Sequence, residues 1–178
     1  AAEVVRRLQS FSRNQRQGDF QRVDLAEVCA DVVEFLRPLW TGRRLAGRAP
    51  ISVLLRTSKG HVVLGDPTEL REVVTNVLKN AVEATEAGGT VSIETRGLGS
   101  SVALLIRDDG VGVPPEARSK LFTPFFTTKG DRGTGLGLCL SQQIVERHGG
   151  QFRLEPGQPR GTVAVIELPI PSHAAPAQ

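Results

Sequence analysis

The chain has little cysteine, no methionine and no long apolar run. Its two cysteines, Cys29 and Cys139, are too few for a disulfide scaffold and lack the spacing of metal ligands. No stretch of about eighteen apolar residues is present and no charged-then-apolar signal opens the chain, so the sequence predicts no membrane span. Methionine is missing even at position 1, which indicates an excised or processed chain.

Low charge and few aromatic residues disfavour nucleic acid as a partner. The formal net charge is only +3, and the basic stretch from Arg37 to Lys59 contains a single aromatic residue, Trp40. Proteins that bind single strands usually combine basic with aromatic side chains. We therefore interpret this stretch as a solvated face. The 39% of hydrophobic residues and 23% of charged residues are typical of one folded domain.

The hydrophobic pattern predicts a two-layer α/β sandwich. Helical spacing predicts three main helices: one from Asp24 to Pro38, one from Asp66 to about Glu86, and one from about Leu136 to His148. The strands should form a mixed, mostly antiparallel sheet with the helices on one face. Strands are predicted over 51–55, 62–64, 90–96, 101–108, 151–155 and 161–168.

The helix that begins after Asp66 carries two amides four residues apart. Asp66 and Pro67 give it a strong start signal, a cap followed by a proline in the first turn. Asn76 and Asn80 fall opposite the apolar side of this helix. Amide oxygens bind a hard cation such as Mg²⁺ when phosphates supply the negative charge. The alternative is an ordinary solvent-exposed face.

Two glycine motifs follow. Asp108 ends a predicted strand and precedes Gly110 and Gly112; a carboxylate there can accept a hydrogen bond from an amine such as that of adenine, and glycine lets a ring approach the backbone. Residues 133–137, Gly-Thr-Gly-Leu-Gly, lead into a helix whose free N–H groups attract phosphate. Leu136 stands where a P-loop requires lysine, and no strand precedes the motif, so neither the P-loop nor the dinucleotide fingerprint fits. Taken alone, each motif also suits an ordinary turn or loop.

Residues 121–129 lie between the two glycine motifs and hold three of the chain's seven phenylalanines. Such a cluster indicates either a partner surface or hinge, or a small satellite core under a long loop. Lys129 follows the cluster and supplies a cation near the place where a terminal phosphate would lie.

In this order the motifs resemble the N, G1, F and G2 boxes of the catalytic ATP-binding domain of bacterial two-component sensor histidine kinases. The resemblance covers roughly residues 20–170 and implies the Bergerat (GHKL) fold, shared with DNA gyrase, mismatch-repair ATPases and heat-shock chaperones. The pairing of residues 80–84 with 125–129 is most similar to the nitrogen-regulation-like subgroup. The implied organisation is the tail of a dimerisation helix over 1–13, a linker over 14–22, the catalytic domain over 23–170 and a frayed tail over 171–178.

The resemblance implies a role for each motif residue in binding the base and the metal. Asn80 would ligate Mg²⁺, and Asn76 would support the catalytic site. Asp108 would accept a hydrogen bond from the adenine amino group. Gly110 and Gly112 would border the base, and Phe122 would be a further nucleotide-binding residue.

The resemblance likewise assigns the phosphate contacts. Lys129, in a lid over residues 125–137, and Thr134 would act on the transferring phosphoryl group, while Lys79 and Arg132 would add further phosphate contacts. Glu83 departs from the family pattern, since many members carry lysine at that position. The backbone expected to hold the phosphates belongs to Gly133, Thr134, Gly135, Leu136 and Gly137.

The implied activity is that of an ATP- and Mg²⁺-dependent protein-histidine kinase. It would pass the γ-phosphoryl group to a histidine of its own dimerisation domain, for relay to an aspartate of a response-regulator receiver domain. His61, His148 and His173 all lack the family's acceptor motif, so this chain should bind ATP without phosphorylating itself. The full-length protein is expected to be a homodimer with this part in the cytoplasm, whether or not the parent is membrane-anchored; the fragment alone is expected to be a monomer.

Two other functions share the same motifs. A GHKL-type ATPase clamp activates water with a carboxylate four residues before the metal-ligand asparagine, but that position holds Asn76, whose amide cannot take up a proton. A non-catalytic nucleotide-sensing module is the other alternative, although every key position is present. The sequence therefore favours phosphoryl transfer over hydrolysis.

Overall fold

The computed structural model describes residues 20–45, 49–130 and 133–171. The expected end of a dimerisation helix over 1–13 lies outside these residues, as does most of the frayed tail expected over 171–178. In chain order the elements are β1 (Gln21–Asp24), α1 (Leu25–Leu36), α2 (Pro38–Leu45), β2 (Ser52–Arg56), β3 (Val62–Gly65), α3 (Pro67–Ala84), β4 (Thr90–Gly97), β5 (Ser101–Asp108), α4 (Pro115–Arg118), α5 (Gly137–Arg147), β6 (Gln151–Pro156) and β7 (Thr162–Pro169).

Five strands form a mixed sheet in the order β2-β4-β5-β7-β6. Strand β2 runs parallel to β4, and the other neighbours are antiparallel, including the β4–β5 and β6–β7 hairpins. Helix α3 packs between α1 and α5, and one hydrophobic core joins these three helices to the sheet. The predicted two-layer α/β sandwich is therefore confirmed.

The opposite face of the sheet has a small apolar centre shielded by charged side chains. Ala103 and Val165 are buried there. Their register partners include Arg96 and Arg153, whose long side chains stand on the same face. Arg153 pairs with Glu167 at 2.6 Å and extends this charged cover. Because the stems of long side chains cover apolar atoms, this face needs no second layer of helices.

Two features of the N-terminal half differ from the prediction. Strand β1, which pairs antiparallel with β3, begins inside the predicted linker because its four residues are too few to show an alternating pattern. Helix α1 ends at Leu36 as expected, but Pro38 then begins α2, since a proline at the first helical position lacks only an N–H that would have no helical partner. Helix α2 brings Trp40 into the core, with 7% of its surface exposed.

Aspartate caps fix where α1 and α3 begin. Asp24 Oδ1 accepts a hydrogen bond from Ala26 N at 2.9 Å, and its Oδ2 accepts one from Gly60 N. Asp66 Oδ1 accepts from Thr68 N at 2.7 Å. Carboxylates at these positions accept hydrogen bonds from N–H groups that the helix leaves without partners. The caps therefore fix the residue at which each helix begins and, for α3, which side chains lie on its polar face.

A buried histidine joins three elements at the edge of the helical layer. His148 Nε2 accepts a hydrogen bond from Asp66 N at 3.1 Å, and its Nδ1 donates to Ile144 O at 2.7 Å. Phe20 stacks on the imidazole ring with the centroids 4.6 Å apart. The ring thus connects the end of α5 to the start of α3 and to the chain that enters β1.

We expect His148→Ala to lower the free energy of unfolding by about 2–4 kcal/mol, because it creates a cavity and leaves the Asp66 N–H without its acceptor. Urea unfolding measures the effect. His61→Ala is the matched control: the side chain of His61 is half-buried, and within the described residues its one hydrogen bond is to Thr95 Oγ1. Equal losses in the two variants would contradict the role assigned to His148.

Candidate functional site

Helix α3 forms one wall of a cavity of about 430 Å³. Its apolar side is buried against the core, and Leu78 is completely inaccessible. Its polar side turns Asn76, Lys79, Asn80 and Glu83 into the cavity. The spacing of three and four residues places these side chains on one helical face, so the predicted amide pair lies at the cavity wall. A volume of this size falls within the range of small-molecule and cofactor sites.

Asp108 lies at the base of the cavity, at the end of the central strand β5. Only 9% of its surface is exposed. Its Oδ1 accepts hydrogen bonds from Gly110 N at 3.0 Å and Thr162 N at 3.3 Å. Burial raises the pKa of the Asp108 carboxyl, while these two hydrogen bonds oppose part of the rise. Within the described part of the chain, no hydrogen bond reaches Oδ2, which leaves that oxygen to accept one from a ligand amine.

The glycines after Asp108 allow the backbone to pack closely around the carboxylate. A Cβ on Gly110 would overlap the carbonyl of Ala84 at the end of α3. Gly110 is absent from the cavity lining, whereas Gly112, with φ +71°, is part of it. Gly110 therefore fixes the approach of the turn to α3, and Gly112 supplies ligand-facing backbone.

Phe122 and Phe125, both from the Phe box, take different positions. Phe122 packs edge-to-face against Phe152 with centroids 5.1 Å apart and is absent from the cavity lining. Phe125 has 64% of its surface exposed and φ +65°. Phe122 therefore belongs to a small satellite core, whereas Phe125 is an exposed aromatic side chain. The Phe box thus shows both of the alternatives that the sequence left open.

The second glycine motif brings backbone to the opposite side of the cavity. Gly133, Thr134, Gly135 and Gly137 line it. Leu136 is instead buried with 3% of its surface exposed, at the N-terminal boundary of α5. The side chain of Leu136 thus anchors the motif in the core while its glycine neighbours face the cavity. Arg132, the other predicted phosphate contact, lies outside the described residues.

Lys129 crosses the cavity to the polar face of α3. Its Nζ donates to Asn80 Oδ1 at 2.8 Å and to Glu83 Oε2 at 2.5 Å. Thr127 Oγ1 accepts from Lys129 N at 3.1 Å and shapes the turn that carries the lysine. The structure therefore brings together Asn80 and Lys129, which are 49 residues apart in the chain.

Sequence reasoning missed part of the cavity lining. Glu83 appears in the sequence only as a departure from the family pattern, and its contact with Lys129 depends on the fold. Thr127 and Thr128 were passed over beside the phenylalanines. The rest of the missed lining is apolar or small, and nothing in the sequence marks these residues as ligand contacts. It comes from the strands, from α3, from α5 and from the loops: Ile106, Leu154, Thr162, Ala164, Val77, Ala81, Ala84, Leu138, Val111, Val113, Leu121 and Phe126.

The donor set fits a nucleotide together with a hard metal ion. Asn80 supplies a neutral oxygen, Lys79 and Lys129 supply cations, and the glycine motif supplies backbone N–H groups, as a magnesium phosphate site requires. Among the described residues, no group of three or more His, Cys, Asp or Glu side chains has a metal-binding arrangement. Within the same residues no helix is both long and apolar enough to cross a bilayer.

Comparison with known proteins decides the family. The model of the histidine kinase-, DNA gyrase B- and HSP90-like ATPases matches residues 65–172. The chain belongs to this family. The matched segment contains α3, both glycine motifs and residues 125–137.

Individual relatives are sensor histidine kinases. The sensor histidine kinase ZraS of Salmonella typhimurium is 39% identical over 109 residues, which cover 61% of this chain and 23% of ZraS. The catalytic domain of the histidine kinase ThkA is 30% identical with a TM-score of 0.74, covering 85% of this chain and 96% of that one. Full-length ShkA in complex with AMPPNP is 27% identical with a TM-score of 0.76, covering 91% of this chain and 33% of that one. The chain therefore has the fold of a histidine kinase catalytic domain, and it spans about a quarter of the length of the curated relatives.

Proposed function

We propose that this domain binds Mg-ATP and presents its γ-phosphoryl group to a histidine of a dimerisation domain outside the chain. From that histidine the group would pass to an aspartate of a response-regulator receiver domain. The observation that carries the proposal is the shared cavity of Asp108 and Asn80, a buried carboxylate on one wall and an amide oxygen on another. ShkA, a relative of the same fold, was solved with the ATP analogue AMPPNP.

Different residues of the cavity would bind the base, the metal ion and the phosphates. Asp108 Oδ2 accepts a hydrogen bond from the adenine amino group, and Gly112 lets the base approach the backbone. Asn80 Oδ1 holds Mg²⁺, and Lys79 and Lys129 offset phosphate charge. Bound Mg²⁺ neutralises charge that develops during phosphoryl transfer. Gly133, Thr134, Gly135 and Gly137 supply the phosphate-facing backbone.

Catalysis of γ-phosphoryl transfer depends mainly on positioning the reactants and stabilising charge, so the cavity needs no general base. Asn76 Nδ2 donates to Ser141 Oγ at 3.4 Å, and an amide cannot activate water by taking its proton. A hydrolysing clamp is therefore disfavoured. Neither described histidine lines the cavity, which fits an acceptor supplied by another domain.

The partners and the setting follow from the same proposal. The partners are the protein's own dimerisation domain and a receiver domain. The full-length protein is proposed to be a homodimer, with this domain in the cytoplasm. Assignment to the nitrogen-regulation-like subgroup is part of the proposal and rests on the motif pair at 80–84 and 125–129.

The proposal predicts that Asn80→Ala removes the Mg²⁺ dependence of nucleotide binding. Calorimetric titration with AMPPNP should give at least about tenfold weaker binding in the presence of Mg²⁺, because a charge-bearing contact is lost. Binding without Mg²⁺ should change little. Gln143→Ala, which removes an exposed amide on α5, is the control and should bind as the wild type does.

Two results would overturn the proposal at different points. Absence of saturable binding by the wild type at millimolar AMPPNP and Mg²⁺ would reject nucleotide binding altogether. An unchanged Mg²⁺ dependence in Asn80→Ala would reject Asn80 as the metal ligand. Transfer is tested separately, by incubating the chain with ATP and the parent's dimerisation domain and following phosphohistidine; rapid phosphate release without that domain would favour the hydrolysing clamp.

A further inference from the structure

A single carboxylate lies between both lysines of the cavity. Glu83 Oε2 is 2.5 Å from Lys129 Nζ, and Glu83 Oε1 is 4.0 Å from Lys79 Nζ. Among the described residues that line the cavity, Glu83 and Asp108 are the only acids. Asp108 accepts backbone hydrogen bonds at the base of the cavity, so the balance of charge on the phosphate side depends on Glu83.

The Lys129 ammonium contacts Asn80 Oδ1, the atom proposed to bind the metal ion. It donates to Asn80 Oδ1 at 2.8 Å while it is paired with Glu83. Asn80 Oδ1 is also the atom that would ligate Mg²⁺. A divalent ion and an ammonium on one amide oxygen would lie close enough to repel each other strongly, so the two contacts exclude each other.

We infer that Glu83 is a positioning residue: its carboxylate holds the Lys129 ammonium on Asn80 Oδ1 and so ties the described part of the lid (residues 125–130 and 133–137) to α3. Binding of Mg-nucleotide then displaces the ammonium from Asn80 and transfers Lys129 to the phosphates. The identity of the displacing ligand rests on the proposed function, whereas the tie between the lid and α3 does not.

The same geometry explains how an acid is tolerated in a phosphate site. Before displacement, Glu83 offsets the charge of Lys129 and part of that of Lys79. After displacement both lysines face phosphate, and Glu83 remains beside Lys79 on the same helical face. Glu83 therefore acts through the lysines and needs no contact with the nucleotide.

Hydrogen exchange of the lid amides tests the tie between the lid and α3. In protein without ligand, Glu83→Gln should speed exchange in the lid about two- to fivefold, the range expected for a partly exposed ion pair. Glu86→Gln is the matched control, since it removes an exposed pair with Arg160 near the end of the same helix and should leave the lid unchanged. Thermal unfolding midpoints should be alike in both variants. A lid that exchanges equally in Glu83→Gln and the wild type would overturn the inference.

Two further measurements distinguish positioning of Lys129 by Glu83 from a general structural role of Glu83. In a Lys129→Gln background, Glu83→Gln should add nothing, because the carboxylate acts through the lysine; additive effects would overturn the inference. With saturating Mg²⁺ and AMPPNP, the difference between Glu83→Gln and the wild type should disappear, since Lys129 has then left Glu83. A persistent difference in the bound protein would overturn the transfer of Lys129 to the phosphates. Failure of the wild type to bind AMPPNP would reject the proposed function, while the ligand-free arms would still decide whether Glu83 ties the lid.

Discussion

Replacing Asp108 by Asn should weaken AMPPNP binding about 10- to 100-fold, because a hydrogen bond to a charged group is lost from a buried site. Gly110 N and Thr162 N both donate to Oδ1. An asparagine would therefore turn its oxygen toward these donors and its NH₂ group into the cavity. That NH₂ group would meet the adenine amino group donor to donor.

The fold should survive this replacement. Burial raises the pKa of Asp108, so the native state binds the proton more tightly than the unfolded state does. The ionised carboxylate thus costs stability at neutral pH, and the cost is relieved as the pH falls through the raised native pKa. Asparagine removes the charge and keeps the acceptor, so urea unfolding should show no loss of stability at pH 7.

Asp109→Asn provides the matched control. Asp109 Oδ1 accepts a hydrogen bond from Thr90 N at 2.9 Å, and its side chain does not line the cavity. Asparagine can keep this acceptor, so binding should remain at the wild-type level. Equal affinity in Asp108→Asn and Asp109→Asn would show that the buried carboxylate does not recognise the base.

The raised pKa of Asp108 also predicts how binding by the wild type depends on pH. A protonated carboxyl offers the amine a poorer acceptor than the carboxylate does. Affinity for the nucleotide should therefore fall on acidification, starting above the pH at which an ordinary aspartate, with a pKa of 3.8, takes up its proton. In Asp108→Asn this component of the pH profile should be absent.

The elements that carry the site were predictable because they have strong local signals. Helix α3 has a cap, a proline in its first turn and a sustained apolar side, and Asp108 stands at the end of a buried strand. These signals depend on residues close together in the chain. Strand β1 and helix α4, with four residues each, are too short to give such a signal, and tertiary contacts decide their structure.

The contacts across the cavity depend on the fold, and sequence alone did not reveal them. The sequence pattern presents Glu83 as a missing phosphate contact, whereas the fold places its carboxylate against Lys129, 46 residues away. Phe122 and Leu136 belong to recognisable motifs, yet both pack inward. A motif identifies which segment approaches the ligand, but packing decides which of its side chains face the cavity.

The second large effect is expected from Gly135→Ala, which should weaken AMPPNP binding about 10- to 100-fold because added atoms in a packed contact force the backbone to move. Phe125 N donates to Gly135 O at 3.0 Å, so these two residues hold the described ends of the lid together. A Cβ on Gly135 would lie 2.6 Å from Phe125 O and still closer to the Phe125 carbonyl carbon. The displaced backbone would move Lys129 and the neighbouring cavity-lining residues Gly133 and Thr134 away from the positions in which they would meet the phosphates.

Gly130→Ala separates this contact from simple backbone strain. Gly130 has φ +57° and Gly135 has φ +65°, so alanine is strained by about 1–2 kcal/mol at either position. A Cβ on Gly130, however, would meet no atom within 4 Å. If the close approach to Phe125 holds the lid in place, Gly130→Ala should keep most of the affinity and Gly135→Ala should lose it. Equal losses would mean that the left-handed backbone alone shapes the lid, and the contact between Gly135 and Phe125 would then have no separate role in binding.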